Sequence, residues 1–193
     1  MDSTMGLRER KKAETRTAVH EATLRLAIEH GLDNVTVEAI ADAANISRRT
    51  FSNYFDGKEE ALLYGDEQRL LELVRRVREQ PAELSAWQAL RGALDIFDSE
   101  NGGLDREWLV RTRLVMRHPS LLARQLAGRM RLEKELSRAV AGREQAGGVD
   151  PTVIAAAFLV AMRIATQKWL DDETRTLREH TDAVLDQVAR PFA

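Results

Sequence analysis

Two short helical runs, separated only by Ala44-Asn45-Ile46, constrain this chain most. The first opens at Thr36, a good N-cap residue. Glu38 follows in the first turn, where the positive end of the helix dipole favours a carboxylate. Val37, Ile40 and Ala41 give this run an inner face. Asn45 occupies the break, and asparagine tolerates the left-handed backbone that a tight turn needs. Ser47 caps the second run, which reaches about Tyr54, and Asp56-Gly57 closes it. Phe51 and Phe55 are four residues apart, so they share a face and can anchor the second helix on a core. The layout is that of a helix-turn-helix over Thr36–Phe55.

The second helix of such a pair enters the major groove of DNA. Arg48, Arg49, Thr50, Ser52 and Asn53 are left on its outer side. Arginine can grip guanine in a bidentate way, and asparagine adenine. The expected base-reading residues are Arg48, Arg49, Thr50 and Asn53. The expected phosphate contacts are Thr36, Ser47, Tyr54 and Lys58. Lys58 opens the next helix, where free backbone N–H groups and a cation both favour phosphate.

Charge supports this only locally. The formal net charge is −2, and residues 1–57 hold eight Arg and Lys against nine Asp and Glu. Five basic residues against two acids lie between Leu7 and Arg16. This run is either an arm near phosphates or a solvated helix start.

The rest reads as helix too. Ala, Leu, Arg and Glu dominate, and all four are good helix formers or tolerated in helices. A first helix spans about Arg8–His30, with Val19, Ala22, Leu26 and Ala27 on one buried face and Gly31 as its stop. A long helix runs from Lys58 to just before Pro81. Further helices are expected at about Glu83–Ser99, Leu104–Arg117, Ser120–Gln145, Pro151–Leu170 and Glu173–Arg190. Pro81, Asn101-Gly102-Gly103, Pro119 and Gly147-Gly148 mark the breaks. The expected fold is all-α. A three-helix DNA-binding domain (1–57) precedes a helical ligand-binding and dimerisation domain (58–193).

Several functions are disfavoured. There is no cysteine, so disulfides, thiolate chemistry and cysteine-based zinc sites are excluded. This fits a cytoplasmic protein. The four histidines show no metal spacing, no catalytic constellation stands out, and no cofactor is expected. The longest apolar run, Val153–Ala165, is broken by Arg163 and falls short of a membrane span. The basic N-terminus has no apolar run behind it and is unlike a signal peptide.

Arg16–Gly31, then Thr36-Val…Ile-Ala-Asp-Ala-Ala, then Ile-Ser-Arg-Arg-Thr-Phe…Tyr-Phe…Lys-Glu-Glu-Ala-Leu resemble the TetR family of regulators in order and spacing over about residues 12–63. Asn45 stands where the family usually has Gly, Ala27 where a bulky aromatic is common, and Ser52 where an aromatic or long polar residue is frequent. The resemblance implies a homodimer on a near-palindromic double-stranded operator, and a body that dimerises and holds a small hydrophobic or amphipathic ligand whose binding releases DNA. The body from Pro119 onward also resembles a subgroup whose ligands include fatty acyl-CoA thioesters.

Apolar bands on the last two helices suit a four-helix interface between two copies. They comprise Ile154, Ala157, Phe158, Ala161, Ile164, Ala165 and Trp169 on one helix. The other carries Leu177, Val184, Leu185, Val188 and Phe192. Candidate ligand-lining residues are Phe97, Trp108, Arg111, Met116, Phe158 and Met162, with Met130 a further large apolar residue. A stripe of large apolar residues is more often core than pocket, and core is the better reading for any one of them. Arg111 and Arg163 sit among apolar neighbours and must pair or snorkel, on a ligand head group or on an acid such as Asp95 or Asp98. The alternative function is a DNA-binding regulator without a small ligand, acting through protein partners.

Overall fold

The computed structural model describes residues 6–100, 106–143, 148–172 and 174–189, except the side chains of 97–100 and 106–109. The breaks expected at 101–103 and 147, the helix ends expected at Gln145, Glu173 and Arg190, and Phe192 lie outside the described residues.

Among the described residues the chain is helical, with no strand. The helices are α1 (Leu7–His30), α2 (Val37–Ala43), α3 (Arg48–Ser52), α4 (Lys58–Glu79), α5 (Ala86–Glu100), α6 (Arg106–Arg117), α7 (Pro119–Val140), α8 (Pro151–Asp171) and α9 (Leu177–Ala189). A 3-10 turn, Leu32–Asn34, follows α1. It was not expected from the sequence.

The chain forms two compact units. The first holds residues 1–68 and 110–125, the second 69–109 and 126–193. These cuts differ from the expected segments 1–57 and 58–193. The reason is packing: Ala61, Leu62, Leu63 and Tyr64 of α4, with Val115 and Leu121, join the core of α1–α3.

In the first unit, Val19, Ala22 and Ala27 of α1 are buried as expected. Leu24 is buried, whereas Leu26 is only half-buried and Ile28 is exposed. Gly31 adopts φ +77° and donates its N–H to Ala27 O at 3.0 Å, which ends α1.

The second unit is built on Val74, Val77, Leu90, Leu136, Phe158 and Leu185, among others. Trp87 meets Phe158 edge to face, 6.1 Å between centroids. Helix α8 packs along α9. Arg143 closes the end of α4 by donating to the carbonyls of Val77 (3.1 Å) and Gln80 (2.9 Å), where a cation suits the dipole. Asp150 caps α8 by accepting from Thr152 N–H at 2.7 Å, with Pro151 in the first turn.

Two helices start later than expected. Ser85 caps α5 reciprocally with Gln88, and Thr176 caps α9 with Glu179. Both are capping boxes, which fix the first helical residue at Ala86 and Leu177.

The apolar run Val153–Ala165, broken by Arg163, lies within a longer helix. Helix α8 is long and apolar enough to cross a membrane by length and composition. Its Ile154, Ala155, Phe158, Ala161, Ala165 and Trp169 are instead buried in the second unit, as in the core helix of a folded domain.

Candidate nucleic-acid interface

Helix α3 has five residues, too few to stand alone. Three features hold it. Ser47 Oγ accepts from Thr50 N–H at 3.0 Å, which satisfies one orphan donor of the first turn. Asn45, at φ +53°, makes the turn from α2. Phe51 and Phe55 are buried with centroids 5.8 Å apart. Each such ring contributes about 1.5–3 kcal/mol of burial, far more than one helix hydrogen bond adds.

With Phe51 turned inward, Arg48, Arg49, Ser52 and Asn53 are exposed together. Arg48 and Ser52 share one edge of the turn, Arg49 and Asn53 the next. Thr50 is half-buried, and its hydroxyl hydrogen-bonds the Ser47 hydroxyl at 2.8 Å. Helix α2 is capped in the same manner, Thr36 Oγ1 accepting from Ala39 N–H at 3.1 Å. The Thr36 hydroxyl keeps its proton for a further acceptor such as phosphate. Tyr54 is half-buried against the head core.

Lys58, expected at a phosphate, has partners within the protein in this structure. Its ammonium donates to the carbonyls of Leu32 (2.8 Å), Val35 (3.0 Å) and Asp33 (3.3 Å). An ammonium has three N–H groups, so in this conformation none is left for phosphate. Lys58 ties α4 to the 3-10 turn.

Arg16 belongs to the basic run but turns inward. Its guanidinium lies 4.9 Å from the Phe55 ring centroid and 4.6 Å from that of Tyr64, with Glu60 at 3.9 Å. Arg8, Arg10, Lys11 and Lys12 are exposed on the first turns of α1.

Nearby, His20 is wedged between α1 and α4. Its Nδ1 is 3.0 Å from Ala61 O, and its ring meets Tyr64 edge-on at 6.3 Å. Burial lowers its pKa below the ordinary histidine value. The Arg111 charge adds to this, while the Ala61 hydrogen bond, Asp66 and Glu21 oppose it. His20 and its contacts gave no pattern in the sequence.

The ligand-lining set fares differently. Phe97 and Trp108 lie outside the described side chains. Arg111 is 4% exposed and pairs with Asp66 at 2.7 Å. Among the described residues the acid it pairs with is Asp66 of α4. Asp95 instead pairs with Arg178. Met116 is 51% exposed in the first unit. Phe158 is fully buried in the second, with Met162 half-buried beside it. Met130 and Arg163 are exposed. A polar cleft of about 400 Å³ lies at the α8–α9 junction, lined by Lys168, Asp171, Asp172, Arg175 and His180 among others. No group of three or more metal-ligating side chains occurs among the described residues.

The family model of bacterial regulatory proteins, tetR family, matches residues 20–64, and that of the MftR C-terminal domain matches 84–193. The chain is 34% identical to the HTH-type transcriptional regulator TcmR of Streptomyces glaucescens, over 95% of this chain and 86% of TcmR. Its fold resembles that of SmeT in a triclosan complex, with TM-score 0.68 at 19% identity over 93% of this chain and 92% of that one. It also resembles Thermus thermophilus FadR in complex with lauroyl-CoA, with TM-score 0.62 at 21% identity over 90% and 92% of the two chains.

Proposed function

Because the chain belongs to the TetR family of bacterial transcriptional regulators, we propose that it is a cytoplasmic, dimeric repressor that binds a palindromic operator and is released by a small hydrophobic or amphipathic ligand. The observation that carries the DNA half is the exposed face of α3, held by Ser47, Phe51 and Phe55. Arg48, Arg49, Thr50 and Asn53 read base edges; Thr36, Ser47 and Tyr54 meet phosphates. Residues 1–57 form the reading head and 58–193 the ligand-binding and dimerising body. The relatives are regulators, and the function is not an enzyme's.

Dimerisation runs through α8 and α9. Val153 and Val160 of α8 are 51% and 48% exposed and seven residues apart, with half-buried Ala156 and Ala157 between them. This is one stripe on one helix face, and a second copy would cover it by two-fold symmetry.

Ligand control is a two-state equilibrium in which DNA and ligand favour different conformations of the dimer. The triclosan and lauroyl-CoA complexes of the structural neighbours support an apolar or acyl-CoA ligand. Fluorescence anisotropy of a labelled operator, titrated with lauroyl-CoA and with triclosan, tests it: release by either supports ligand control. Retention with both, joined to capture of a protein partner by the body, favours the second reading. That reading, a regulator acting through protein partners, draws on the full burial of Phe158 against Trp87, which gives that ring a core role without any ligand.

A further inference from the structure

Next to the exposed face of α3 stands an acid that is neither a base contact nor a phosphate contact. Glu38, in the first turn of α2, reaches Arg48, the first residue of α3. Its Oε1 lies 2.8 Å from Arg48 Nη1. The two side chains are 55% and 72% exposed, so burial holds neither. An exposed pair of this kind adds little to stability. A carboxylate on a surface that meets phosphates also lowers affinity through like-charge repulsion.

What the contact does is fix a direction. Glu38 rises from a helix whose N-cap is intact. Arg48 ends in a long side chain with many rotamers, which the pair restricts. The contact is made through Nη1. The opposite edge of the planar guanidinium, Nη2 and Nε, remains for a second planar partner. Guanine offers such a partner in O6 and N7.

We propose that Glu38 is a positioning residue for base selectivity. It holds the Arg48 guanidinium in the orientation that grips guanine and so sets the preference at one base pair of each half-site. This deepens the operator-reading function and rests on the assignment of Arg48 as a base contact. The same carboxylate makes reading stricter at the expense of general attraction to DNA.

The test uses the full chain, as parent, Glu38→Gln, Arg48→Ala and the double variant. Each is titrated by fluorescence anisotropy against the duplex preferred by the parent and against its single-pair substitutions. Circular-dichroism melts accompany each protein. Glu38→Gln is expected to melt as the parent does and to lower the preference at one pair about two- to five-fold. Arg48→Ala should lower the preference at that same pair further, and the double variant should be no worse than Arg48→Ala. If Glu38→Gln binds every duplex more tightly with preferences unchanged, the positioning role is overturned and operator reading stands. If the parent prefers no duplex at all, the base-reading role of Arg48 falls, and the positioning role with it.

Discussion

The imidazole of His20 occupies the space that a Cβ on residue 65 would need: an ideal Cβ built on Gly65 would lie 2.3 Å from His20 Nε2. Gly65 is thus the seat of the ring. An alanine in a helix interior is ordinarily better than glycine by about 1 kcal/mol. Here the ring cannot retreat without giving up its contact with Ala61 O. Gly65→Ala is expected to destabilise the first unit by about 1–2 kcal/mol net. Adding His20→Ala should recover part of that loss, because the clash disappears and the propensity gain remains. Urea unfolding of the two singles and the double closes the cycle.

The same ring makes stability pH-dependent. Burial lowers the His20 pKa in the folded state, while the unfolded chain keeps the ordinary value near 6.5. The unfolded state therefore binds the proton more readily. The contribution of His20 is complete above about pH 6.5 and is lost as pH falls through the lowered folded value. Unfolding midpoints should drop between pH 7.5 and 5.5, and His20→Gln should show a shallower drop. A parallel decline in both proteins would remove His20 as the cause.

Lys58 tests structure against electrostatics. Lys58→Met should cost about 1–3 kcal/mol of stability, because the carbonyls of Leu32, Asp33 and Val35 lose a charged donor. The slope of log affinity against log salt should stay close to the parent's. A phosphate contact would instead reduce that slope by about one unit, with the melt unchanged.

Arg49 lies on the exposed face of α3, among neighbours that leave it open. Arg49→Ala should reduce discrimination at particular base pairs by roughly 1–3 kcal/mol, while its melting curve follows the parent's. Uniform weakening over all duplexes would mark Arg49 as a phosphate contact.

Val160→Arg places a charge in the middle of the exposed α8 stripe. Sedimentation is expected to show monomer in place of dimer, since a buried unpaired cation is costly at a two-fold interface. An unaltered dimer would move the interface off α8.

Local chemistry made the head legible. Thr36 and Ser47 as caps, Asn45 at the turn and Phe51 with Phe55 as anchors are decided within a few residues, and the structure has each in place. The starts of α5 and α9 were misread at Glu83 and Glu173, although Ser85-x-x-Gln88 and Thr176-x-x-Glu179 are capping-box spacings that carried the signal. The rest depended on contacts distant in sequence. Arg111 finds Asp66, Lys58 finds the carbonyls after α1, and His20 finds the gap at Gly65. No periodicity signals such pairs. Arg111 read as a ligand candidate for that reason: an apolar neighbourhood shows that a guanidinium needs a partner, and only the fold says which one.

The most direct measurement is selection of the full chain on a library of random duplexes at fixed, near-physiological salt. The predicted result is a two-fold palindrome whose half-sites are spaced by about one helical turn or a multiple of it, lost in the Arg48→Ala, Arg49→Ala double variant. Binding without any enriched sequence, or the same palindrome retained by the double variant, would contradict the reading of α3 as the element that recognises DNA.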